Sequence, residues 1–114
     1  MAKDDLVSRP TKKAEYSIRF ATVGAQKGWR DLRAMILGPL ADTWDFLTRT
    51  PTERTATNYP LKGEVLGVIM RGGKNHVRWQ HKPTAQGDAR IWFYVEGQTV
   101  YLEQVHTRHP NQTK

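Results

Sequence analysis

The chain contains no cysteine, which excludes a disulfide framework and any thiolate metal site. Long apolar runs are missing too: nothing approaches the roughly 20 consecutive apolar residues needed to span a bilayer, so no membrane partner is expected. The opening residues, "MAKDDLVSRPTKKAEY", lack the apolar stretch of a secretory signal. A cytoplasmic protein is the expectation. There is no HExxH pair, no Gly-Lys-Ser/Thr phosphate loop and no Gly-x-Ser-x-Gly elbow, and the acidic residues are scattered, so neither a metal nor a cofactor is expected. Acidic charge is itself scarce. Eleven Asp and Glu face 18 Lys and Arg, a net charge of +7 in 114 residues. A field of that sign favours a polyanion, whether nucleic acid, an acidic protein or an anionic surface. Basic charge spread over a soluble surface is the equally ordinary alternative.

What is present has the length of one domain with one modest core. Residues 1–14, with Lys3, Arg9, Lys12 and Lys13, read as a flexible basic arm, and residues 15–114 as a single domain. "YSIRFAT" alternates Tyr16, Ile18 and Phe20 with polar residues, a half-buried strand. The period then changes. Trp29, Leu32, Ile36 and Leu37 fall at helical spacing, with Gly38-Pro39 as the stop, and Leu40, Trp44 and Leu47 form a second stripe ended by Pro51. These stripes read as core, in a helical hairpin. "TERTATNYPLKG" reads as a loop. Four strand candidates follow, "EVLGVIM", "HVRWQH", "RIWFYV" and "QTVYLEQV", with Glu96-Gly97 as a two-residue hairpin turn and Gly72-Gly73 as a looser one.

Alternation sorts the strand residues into two faces. Ile91, Phe93 and Val95 share an apolar side with Val77 and Trp79, and the turn at Glu96-Gly97 pairs Phe93 with Val100 and Ile91 with Leu102. The helices should cover this side. His76, Arg78, Gln80, Arg90, Trp92 and Tyr94 fall on the other, open side. Beyond Leu102 the parity slips, because the next apolar residue is Val105. A β-bulge near Glu103-Gln104 returns Val105 to the core and brings His106 and Arg108 onto the open face. Without a bulge, both stay with Leu102. A face carrying arginine, histidine, Trp92, Tyr94 and Tyr101 suits RNA, since guanidiniums meet phosphates and rings stack on unpaired bases. The bland alternative pairs Arg90 with Glu103 across the hairpin. The final "VHTRHPN" is then either a solvated tail or the chemical end of this face.

At this level of detail the chain resembles the RelE/ParE superfamily of type II toxin–antitoxin toxins. The resemblance rests on "YSIRFA", "KGWRDL", "NYPLKGE" and "ARIWFYVEGQTVYLEQVHTRHPN", in order, over about residues 15–111. Leu61-Lys62-Gly63, Arg90 and the basic segment His106–His109 match the family's leucine–basic–glycine step, strand-opening arginine and basic C-terminal segment. It implies an α+β fold, β-α-α-β-β-β-β, with two N-terminal helices on one face of a mostly antiparallel, twisted four- to five-stranded sheet. It also implies an mRNA endonuclease of RelE or HigB type, ribosome-dependent or acting on free mRNA, inhibited by a cognate antitoxin, a small helix-turn-helix protein. Arg90 and Arg108 resemble the family's phosphate-binding arginines. His76 and Arg78 stand where RelE has two lysines, and His109 stands near a terminal tyrosine or histidine. The lysine pair is absent and no tyrosine follows Arg108, so acid and base do not transfer. "KPTAQGD" is also longer than the usual connection.

Metal-free RNA cleavage needs a base at the 2′-hydroxyl, charge stabilisation at the phosphate and an acid at the leaving 5′-oxygen. Imidazole, with an ordinary pKa of about 6.5, suits both proton transfers, and arginine suits the phosphate. The expected assignment is Arg90 and Arg108 on the phosphate and His109, His106 or His76 as proton-transfer groups. Arg78, Lys62, Lys82, Trp92, Tyr94 and Tyr101 are the expected RNA-binding residues. His81 shares parity with Val77 and Trp79 and is expected to be structural. A ParE-type gyrase inhibitor and a non-catalytic nucleic-acid-binding domain are the competing readings.

Overall fold

The computed structural model describes residues 14–108; the N-terminal arm and His109 lie outside the described residues. The element order is β1 (Ser17–Phe20), α1 (Val23–Met35), α2 (Leu37–Arg49), β2 (Asn58–Pro60), β3 (Val68–Arg71), β4 (Lys74–Val77), β5 (Trp79–His81), β6 (Arg90–Glu96) and β7 (Thr99–His106). Five strands form one sheet in the order β1-β7-β6-β5-β2, and β3-β4 form a separate hairpin. The first strand lies beside the last: β1 runs parallel to β7, with Ile18 opposite Val100 and Phe20 opposite Leu102. All other pairings are antiparallel.

Both helices cover one face of the sheet, as their apolar stripes require. Leu32, Leu40 and Leu47 pack with Trp79, Ile91, Phe93, Val100 and Leu102 in one core. Gly38-Pro39 does not stop a helix. α1 ends at Met35 and α2 starts at Leu37, so glycine and proline occupy the first turn of α2, where a missing N–H costs nothing. The Thr22 hydroxyl starts α1, accepting from the Ala25 N–H at 2.9 Å and donating to the Glu103 carbonyl at 2.9 Å. Further along, α1 lies directly on β7. A Cβ on Gly28 would sit 2.3 Å from the Val105 carbonyl oxygen, so this close approach requires glycine.

Three sheet details differ from the sequence reading. The β6–β7 turn is Gly97-Gln98, giving Phe93 opposite Leu102 and Val95 opposite Val100; a shift by two keeps parity and therefore the faces. "NYP", read as loop, is the edge strand β2, short enough to tolerate Pro60. "HVRWQH" is two strands broken at Arg78, whose N–H goes to the Gly67 carbonyl while its own carbonyl takes the Leu61 N–H. The break undoes the parity, so Trp79 is buried while Val77 is 54% exposed. Before it, β3 and β4 turn sharply through Gly72-Gly73, both at positive φ, and fold over the sheet face opposite the helices. The bulge is where the alternation slips: Trp92 pairs with Gln104 and Phe93 with Leu102, leaving Glu103 extra. Val105 thereby returns to the core side and His106 stands opposite Arg90.

Candidate nucleic-acid interface

The face away from the helices is not naked. The hairpin covers its centre, with His76 stacked on Tyr94 at 4.6 Å between ring centroids and Tyr94 stacked on Tyr101 at 5.1 Å. Trp92 is 2% exposed. Its indole N–H donates to Gln80 Oε1, and Gln80 Nε2 donates to the Tyr59 hydroxyl, both at 2.9 Å. Arg78 lies over the Trp92 ring and binds both Glu103 oxygens at 2.9 Å. The planar guanidinium and carboxylate match each other as a fork does a fork. The bulge accounts for this pair, because the extra residue Glu103 projects towards the point where β4 breaks into β5.

Two clefts open beside this centre. The first, of about 360 Å³, is lined by Thr22, Gly24, Ala25, Arg71, Glu103, Gln104, Val105 and His106. Here His106 Nε2 is buried without a hydrogen-bond partner, while the ring meets Trp92 edge-on at 5.0 Å. Burial pushes the His106 pKa below its ordinary 6.5, opposed by the Glu103 carboxylate. Burial so placed favours the neutral imidazole, whose Nε2 has no partner to hold a proton. The second cleft, of about 330 Å³, is lined by Arg71, Gly72, Lys74, His76, Tyr94, Glu96 and Tyr101. Arg71 lines both. Its nearest carboxylate oxygen, on Glu103, is 3.9 Å away, and its side chain is 46% exposed.

The expected site residues separate accordingly. His106 lines the first cleft, and Arg108 is exposed just past β7. Arg90 is not on an open surface: it is 7% exposed, and its Nη1 donates to the Gly87 and Ala89 carbonyls at 2.7 and 2.9 Å. Its Nε has no partner. Nor does Arg90 pair with Glu103; Arg78 does, and Arg78 is correspondingly committed. His76 joins the second cleft, away from His106, with Nε2 3.7 Å from Glu96. Trp92 and Tyr94 are buried and cannot stack on a base as they stand, whereas Tyr101 is half-buried and lines a cleft. Lys82 lies 5.6 Å from the Tyr59 ring, and Lys62 is exposed in the loop before β3. Among the described residues no three carboxylate or imidazole groups converge as a metal site would require.

His81 sits on the helix side, 5% exposed. Asn58 donates through Nδ2 to the Pro51 and Glu53 carbonyls, so its Oδ1 must accept from His81 Nδ1, 3.1 Å away. Nε2 is then the acceptor for the Thr43 hydroxyl at 3.1 Å. A neutral ring with its proton on Nδ1 satisfies every group, and burial lowers its pKa to about 4.

Arg71 and Lys74 were not among the residues expected at the site. A tight Gly-Gly turn places its flanking residues opposite each other, and "RGGK" does pair Arg71 with Lys74; that signal was available. No family model and no curated protein matches the sequence. Among solved structures, a YoeB/ParE toxin from Agrobacterium tumefaciens is similar, with a TM-score of 0.57 and 20% identity over 82% of this chain and 98% of that one. In its two helices and mostly antiparallel sheet, the chain has the fold of that toxin.

Proposed function

We propose that the chain is the toxin of a type II toxin–antitoxin pair, a metal-independent mRNA endoribonuclease of the RelE/HigB kind. The observation that carries this reading is His106, which lines a cleft with Arg71 and Glu103 at the end of β7 and whose Nε2 is buried without a partner. The fold it shares with a YoeB/ParE toxin supports the same reading. In the proposed reaction the His106 imidazole takes the 2′-hydroxyl proton and the 2′-oxygen attacks phosphorus. Arg108 binds the phosphoryl oxygens as their charge develops. The bond to the 5′-oxygen breaks, and a protonated imidazole, His109 in the sequence reading, supplies that oxygen's proton. Arg90 holds residues 87–89 and thereby the start of β6 opposite His106; it is a positioning residue.

Regulated expression in bacteria, with growth and mRNA cleavage followed together, tests the reading. His106→Ala should lower cleavage by roughly 100- to 10,000-fold, and Arg108→Ala by about 100- to 1,000-fold. Because burial depresses the His106 pKa, the acid limb of the wild-type rate profile should fall below pH 6.5. Growth arrest without RNA cleavage, unaffected by His106→Ala, would favour a gyrase-inhibiting toxin. The proposed inhibitor is a cognate antitoxin whose acidic segment offsets the charge of +7.

A further inference from the structure

We propose that the second cleft is a base-specific nucleotide subsite, with Arg71 marking its boundary with the cleavage cleft. The inference rests on the ribonuclease reading. It comes from a separate set of residues, those that the β3–β4 hairpin brings against β6 and β7.

The cleft has two chemically different sides. Its floor is a stack of rings, His76 on Tyr94 and Tyr94 on Tyr101, with interplanar angles of 28° and 17°. The middle ring, Tyr94, is buried, while Tyr101 at one end of the stack and His76 at the other are half-buried. Near-parallel rings continue naturally into a further planar ring, and base–aromatic stacking is tolerant of base identity. On the turn side stand Arg71 and Lys74, a cross-strand pair of cations. Arg71 also lines the cleavage cleft, so a guanidinium stands where the phosphate between two neighbouring nucleotides would pass. The volume of about 330 Å³ lies at the low end of ligand-sized sites, roughly 300–1,000 Å³. It accommodates one nucleotide and not a folded helix of RNA.

Glu96 supplies the selectivity. Its carboxylate, 49% exposed and 3.7 Å from His76 Nε2, is the acidic group of this cleft. A carboxylate beside a phosphate site would be unfavourable if its role were to meet phosphate. Beside a stacking floor it is an acceptor for the edge of a base. It accepts from an exocyclic amino group, as on cytosine, and finds only a keto oxygen at the same place on uracil. The subsite therefore takes a single-stranded nucleotide whose base carries an amino group and discriminates against uracil.

The test uses fluorescein-labelled 2′-O-methyl hexanucleotides of cytidine and of uridine, which cannot be cleaved through a 2′-hydroxyl, titrated with the whole chain by anisotropy. Wild type should bind the cytidine oligomer more tightly. Tyr101→Ala and Arg71→Ala should each weaken binding about tenfold, and Arg71→Ala should reduce the salt slope by about one. Tyr101→Phe, which keeps the ring, should bind as wild type. Glu96→Gln should abolish the preference for cytidine. Arg33→Ala, on the helix side, should change nothing. Wild-type affinity in folded Arg71→Ala and Tyr101→Ala, or no hexanucleotide binding by wild type, overturns the subsite. RNA cleavage by wild type and its loss in His106→Ala are scored separately. A failed subsite with intact cleavage leaves the ribonuclease standing, and absence of both removes both.

Discussion

At the scale of single residues, the two described histidines with displaced pKa values do opposite work. His106 lines a cleft with its Nε2 unpartnered, whereas His81 is closed by Thr43 and Asn58 and flanked by the Phe46 ring at 5.2 Å. The folded pKa of His81 is about 4 against 6.5 in the unfolded chain. Unfolding therefore takes up a proton between those values, and the stability contributed by neutral His81 is complete above pH 6.5 and lost as pH falls towards 4. At about 1.4 kcal/mol per pKa unit the effect is roughly 3 kcal/mol at most. Denaturant midpoints measured from pH 7 to 4 should show this decline in wild type and a shallower one in His81→Phe; parallel curves would contradict it. The Arg78–Glu103 pair is of another kind. With side chains 12% and 4% exposed, it gives up so much hydration that its net contribution to stability is small. Its effect is to tie the bulge to the β4–β5 break.

Among elements, the contact that places His106 is α1 on β7. Gly28→Ala should gain about 1 kcal/mol of helix propensity yet destabilise the protein by roughly 1–3 kcal/mol, because the new methyl meets backbone that cannot swing aside. It should also reduce cleavage by displacing β7. An unchanged unfolding midpoint would show that the two elements separate easily. How well such elements can be read from sequence depends on how local their causes are. The bulge was legible because Leu102 and Val105 break a period of two within one strand. The break at Arg78 was not, since "HVRWQH" alternates without fault and its interruption comes from backbone bonds to Gly67 and Leu61. Arg90 looked accessible because a strand-opening arginine usually is. The carbonyls that hold it lie in a loop whose path carries no period. Likewise the helical stripes identified the core, while Gly38-Pro39 was misread because proline is equally at home just after a helix and in the first turn of one.

Taken whole, the molecule has its helices on one side and two clefts, with Arg71 and Lys74 at their edge, on the other, and carries a net charge of +7. If the proposed acidic antitoxin is the partner, association should be fast and should slow steeply with salt. Stopped-flow mixing from 50 mM to about 500 mM salt, several-fold in Debye screening, should lower the on-rate far more than the off-rate changes. A flat on-rate would mean that contact is made elsewhere than on the basic side. The position of β7 has a further consequence. The strand lies between β1 and β6, and its bulge carbonyl accepts from a Thr22 hydroxyl 81 residues earlier in the chain. Neither the core nor the first cleft can close on a ribosome-tethered chain until β7 has emerged, so under the proposed function the nascent polypeptide would be inactive until then. Such long-range closure is also slow. The interval between release from the ribosome and completion of the first cleft is then a window in which an inhibitor already present can arrive first.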